Sequence, residues 1–112
     1  MSIASLSPSL VWNHFATLCA IPRPSRHEAA LREHLIAWAQ GRGLQTEVDA
    51  VGNLLIRKNA SPGLEGVPPL AMQAHLDMVC QANSGTAHDF LTMPITVEVV
   101  DMERQSYQKH LA

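Results

Sequence analysis

Cysteine is scarce in this chain. Cys19 and Cys80 are its only two in 112 residues, far apart and in no Cys-x-x-Cys spacing, which argues against a disulfide framework. Positive charge is scarce too. Eight Lys and Arg face ten Asp and Glu, for a formal net charge of -2. The basic residues are scattered, so the electrostatic footprint of a nucleic-acid binder is missing. No apolar run approaches the roughly 20 residues needed to span a bilayer. The opening Met1-Ser2-Ile3-Ala4-Ser5-Leu6 has neither the basic flank nor the apolar core of a secretory signal. Internal repeats and low-complexity tracts are absent. The expectation is a cytoplasmic protein with no nucleic-acid and no membrane partner. Its length suffices for one small domain with a modest core, and its 46% hydrophobic content is ordinary.

What is present divides cleanly along the chain. Ser7-Pro8 reads as a helix start, with Ser7 capping and Pro8 in the first helical position. Val11, Trp12, Phe15, Leu18 and Cys19 then recur at helical spacing. Ile21-Pro22-Arg23-Pro24 stops that helix. Ser25, with Glu28 three residues on, reads as a capping box. Leu31, Leu35, Trp38 and Ala39 supply a buried face for the second helix, and Gly41-Arg42-Gly43 ends it. Residues 45–49 and 53–58 read as strands joined at Gly52, a hairpin. Residues 59–69 read as a loop, Leu70 to Ala74 as a buried strand, and 95–99 as one more strand. The expected class is α/β: two helices, a hairpin and further strands of a mixed sheet.

The strand at Leu70–Ala74 leads into Gln73-Ala74-His75-Leu76-Asp77-Met78-Val79. In an extended segment alternate side chains share a side, so His75 and Asp77 are expected together, with Leu76 turned to the core. A zinc-binding histidine usually gives its other ring N–H to a carboxylate or carbonyl, which fixes tautomer and orientation. His-x-Asp is a compact way to build that pair. A hydrogen-bonded histidine at a strand end is the bland alternative.

The residues also resemble a known family. Trp12, Ile21-Pro22-Arg23-Pro24-Ser25-Arg26-His27-Glu28, Val51-Gly52-Asn53-Leu54-Leu55-Ile56-Arg57-Lys58, Gln73 to Val79, His88-Asp89-Phe90 and Pro94-Ile95 are similar, in this order, to the amino-terminal part of aminoacyl-histidine (cytosolic non-specific) dipeptidases, dinuclear zinc metallopeptidases. The resemblance covers roughly the first hundred residues. It implies that residues 1–100 are the amino-terminal portion of a metallopeptidase catalytic domain. It implies that His75 is a zinc ligand and that Asp77 supports it in the catalytic machinery. It also implies two zinc ions as cofactor and dipeptide substrates, including those with a carboxy-terminal histidine. In the family a Gly-Ala-Asp-Asn-Gly motif, a Glu-Glu pair, a further carboxylate and a final His complete the site, and a second domain mediates dimerisation. A homo-oligomer is accordingly among the expected partners.

None of those later motifs occurs here, and catalytic zinc takes about three protein ligands plus water. Cys80 stands where the family usually has proline, and Leu91-Thr92-Met93 replaces a more charged stretch. Residues 101–112 read as an irregular tail. Back-translated and shifted by one nucleotide, Met102-Glu103 must yield a Trp codon, and later codons can yield a segment resembling the missing family sequence. This motivates the expectation of a frameshift near Asp101 that truncated a longer dipeptidase, inactive alone. The alternative is a small non-catalytic binding module that pairs with a full-length relative.

The other candidates carry blander readings. His14 and His34 are ordinary helix residues, and His27 lies in a first helical turn, where its cation would meet an unfavourable dipole. His88-Asp89 is a substrate-loop element or a turn stabilised by Asp89. His110 lies in the tail and takes no role. Cys80 reads as a small apolar filler, and Trp12, Phe15 and Trp38 as packing. Glu98, on the solvent side of its alternation, and Glu103 are declined as bases.

Overall fold

A computed structural model describes residues 2–100. The tail, with His110, Glu103 and the expected frameshift, lies outside the described residues. The chain forms two compact units, one of residues up to Ile21 together with those from Pro94, the other Pro22–Met93.

In the first unit a short 3-10 turn, Ile3–Ser5, packs on helix α1, Ser9–Ala20. The helix starts later than expected. Pro8 is the N-cap, extended at φ -75 and ψ 131, and α1 has no side-chain cap. Ser7 does not cap it. Cys19 is buried, and the Trp12 and Phe15 rings meet edge-on at 5.8 Å. Val11 and Phe15 remain exposed, so the apolar stripe of α1 is only partly covered. Ile95 donates its N–H to the Cys19 carbonyl at 2.9 Å. Residues 95–99 make no ladder, which corrects the strand expected there. The alternation survives as one-sided burial: Ile95 and Val97 are half-buried, while Thr96 and Glu98 are exposed.

The second unit is built on helix α2, Ala29–Gln40, and an antiparallel hairpin of β1, Gln45–Val48, and β2, Leu54–Arg57. Leu31 and Ala39 are the buried residues of α2, with Leu35 and Trp38 half-buried beside them, as the helical spacing predicts. The Leu44 N–H returns to the Ala39 carbonyl and the Gly43 N–H to that of Gln40, each at 3.0 Å, with Gly43 at φ 70. This is the left-handed glycine ending that satisfies the last carbonyls. In the hairpin Thr46 faces Ile56 and Val48 faces Leu54, and β1 packs against α2.

The hairpin turn is built by Asp49. Its Oδ1 accepts the N–H groups of Val51 (3.0 Å) and Asn53 (2.8 Å), and its Oδ2 accepts Asn53 Nδ2 (2.8 Å). These bonds, the Asn53 side chain first, hold the Asp49 carboxyl below the ordinary aspartate value.

The segment Leu70–Ala74 is not the buried strand expected from its apolar run. It joins no ladder, and Leu70 and Met72 are 86% and 90% exposed. Burying such a segment requires a neighbouring strand, and the one sheet among the described residues is the two-stranded hairpin. No helix of the described residues is long and apolar enough to cross a membrane.

Candidate functional site

His75 and Asp77 are held by the Pro22–Ser25 link rather than by a sheet. Pro24 and Met78 form an isolated parallel bridge. The Met78 N–H donates to the Arg23 carbonyl at 2.9 Å, and Arg23 Nη1 donates to the Leu76 carbonyl at 3.1 Å. The segment is thereby pinned on both sides of Asp77.

Within it the two side chains meet. His75 Nδ1 lies 2.8 Å from Asp77 Oδ1. Ser25 Oγ donates to the other carboxylate oxygen, Oδ2, at 2.5 Å. These two bonds, Ser25 first and His75 second, hold the Asp77 carboxyl below its ordinary value. An ionised carboxylate only accepts, so Nδ1 is the donor and Nε2 of the neutral ring carries the lone pair. The imidazole is 77% exposed, against 30% for the Asp77 side chain. Nε2 has no partner among the described residues.

The pair borders an open groove of about 740 Å³, walled on one side by Glu28 and Arg32 and on another by Gly52 and Asn53 of the hairpin turn. Arg32 Nη1 donates to the Gly52 carbonyl at 3.3 Å and ties the two walls together. Gly52 adopts φ 93, and a Cβ added there would stand 2.7 Å from that same Nη1. Backbone conformation and close approach both call for glycine at this point.

The remaining candidates do not join the site. His88 stacks edge-on against Phe90 at 4.7 Å, and its buried Nε2 has no partner among the described residues. Asp89 makes a turn: Oδ1 accepts the Leu91 N–H at 2.9 Å and Oδ2 accepts the Thr92 hydroxyl at 2.7 Å, and these bonds, Thr92 first, lower its pKa. Cys80 is exposed, not a buried filler, because no sheet closes over the segment that precedes it. His14, His27 and His34 are exposed. Among the described residues no three His, Cys, Asp or Glu side chains come together to hold a metal. Sequence reading missed Ser25 as a partner of Asp77. Its signal was the Pro-x-x-Ser link, read there as a helix start.

No family model matches the chain. It is 50% identical over 93 residues to the cytosol non-specific dipeptidase of Escherichia coli (strain K12), a match spanning 83% of this chain and 19% of that protein. Its fold superposes on the crystal structure of aminoacylhistidine dipeptidase from Vibrio alginolyticus with a TM-score of 0.85 at 42% identity, covering 92% of this chain and 21% of that one. The chain thus spans about a fifth of the length of these relatives. Over the part of them that it spans, the chain is similar in sequence and in fold to these two dipeptidases.

Proposed function

We propose that the chain carries one arm of a zinc dipeptidase site, with His75 as metal ligand through Nε2 and Asp77 as the residue that orients it. Residues 1–100 then correspond to the amino-terminal portion of the catalytic domain, acting in the cytoplasm on dipeptides, Xaa-His among them. One observation carries this reading: the 2.8 Å bond between His75 Nδ1 and Asp77 Oδ1, which leaves an exposed imidazole with its lone pair outward. Carboxylate–histidine pairing of this kind is the usual support of a zinc-bound imidazole. The donor set suits zinc, but it is one corner of a site that needs about three protein ligands. The described residues hold no complete set, so no hydrolytic step is assigned to them. The chain alone is expected to turn over no dipeptide.

Calorimetric zinc titration of the whole chain and of His75→Ala, with a dipeptidase assay on the same samples, tests this. Weak binding lost in His75→Ala, without turnover, is the expected result. Binding that His75→Ala leaves unchanged would remove His75 from the site. Tight binding with turnover would overturn the inactivity. The exposed Leu70 and Met72 accord with a portion of a catalytic domain whose remainder would cover them. The alternative, a binding module that pairs with a full-length relative, calls instead for a cooperative unfolding transition and a defined partner.

A further inference from the structure

Ser25 is excused from the local duty its position suggests. The N-cap of α2 is Glu28, and α2 has no side-chain cap. The Ser25 hydroxyl instead reaches Asp77 Oδ2 at 2.5 Å, across 52 positions of sequence. The chain around it is bent to make this contact. The His27 N–H closes a turn onto the Pro24 carbonyl at 2.8 Å, with Arg26 at φ 73, a region that residues other than glycine occupy at a cost. Glu28 Oε1 accepts the Arg26 N–H at 2.6 Å and holds that turn.

The Arg23 guanidinium on the Leu76 carbonyl and the Met78 N–H on the Arg23 carbonyl fix the main chain on either side of Asp77. They leave its side-chain torsions open. A carboxylate with that freedom can turn from His75 toward water, since Asp77 is 30% exposed. Ser25 occupies the oxygen that His75 does not use.

We propose that Ser25 is a positioning residue of the metal-binding arm: by holding Asp77 Oδ2 it keeps Oδ1 on His75 Nδ1 and thereby fixes the tautomer that presents Nε2. The proposal rests on His75 being the ligand, as proposed above. A serine that only tethered the link would affect folding and leave the imidazole tautomer alone.

Long-range proton–nitrogen spectra of the 15N-labelled 112-residue chain, recorded at about pH 8, where an ordinary histidine is neutral, read the tautomer directly. His75 is assigned by its loss in His75→Ala. The wild type should show the Nδ1–H form. Ser25→Ala should give a mixture gaining Nε2–H, and Ser25→Thr, which keeps the hydroxyl, should restore the wild-type pattern. Zinc affinity in the same samples should fall about 10-fold or more in Ser25→Ala, the usual scale for losing a ligand's supporting partner.

An Nδ1–H form that persists in Ser25→Ala, or is absent from the wild type, overturns the proposal. If Ser25→Ala fails to fold, Ser25→Cys, similar in size but a weaker donor, is judged by the same spectrum, and an unchanged tautomer there overturns it as well. The two readings fail separately. Added zinc that leaves the wild-type His75 nitrogen signals unmoved sinks the ligand assignment, whereas the tautomer series decides the role of Ser25.

Discussion

At the scale of single residues, the groove depends on a glycine as much as on a histidine. Gly52 sits at φ 93 with Arg32 Nη1 on its carbonyl, where a Cβ would come within 2.7 Å of that nitrogen. Gly52→Ala is expected to cost about 1–2 kcal/mol through backbone strain and loss of the arginine contact, seen as a lower urea midpoint at unchanged slope. An unchanged midpoint would mean that the arginine simply moves aside. The His75–Asp77 pair was legible in the sequence because it is local, two positions apart with nothing else needed to bring the groups together. Ser25 was not. Its partner lies 52 residues away, and a serine followed three residues later by a glutamate matches a capping box so well that the local explanation won. Half of that explanation survives, since Glu28 does reach back to a backbone N–H, that of Arg26.

At the scale of elements, the helices and hairpin followed from short-range signals: apolar spacing, two prolines as a stop, glycines at the ends. The expected strands at 70–74 and 95–99 did not form, because a strand is a relation between segments and the apolar run records only one side of it. The hairpin shows how much a single turn residue contributes. With its carboxyl below the ordinary range of about 3.9, Asp49 favours the folded state above that range, and the contribution is lost as pH falls through the lower folded value. Asp49→Ala should therefore lower the urea midpoint at pH 6, with a narrower gap to the wild type at pH 3. A gap equally wide at both pH values would show that the carboxylate charge is not what holds the turn.

At the scale of the whole molecule, apolar surface is left bare. Leu70 and Met72 are exposed almost completely, and Val51, Leu10 and Val79 are mostly so. Apolar side chains left this open to water are places where another surface can bind. The chain should bind 8-anilinonaphthalene-1-sulfonate and associate with rising concentration. Leu70→Lys with Met72→Lys should reduce both without lowering the unfolding midpoint, since neither side chain contributes to the core. A loss above about 1 kcal/mol, the scale of an average destabilising substitution, would place the two residues in packed surroundings after all. One further consequence follows from the way Arg23 grips Leu76. That bond spans 53 residues, and closing a loop of this size costs about 3–4 kcal/mol of chain entropy. Helix α2 and the hairpin need no such closure, so they can persist when it is lost. The His75–Asp77 segment is therefore the first part set adrift when the unit breathes, and the metal binding proposed for His75 would report loop closure rather than secondary structure.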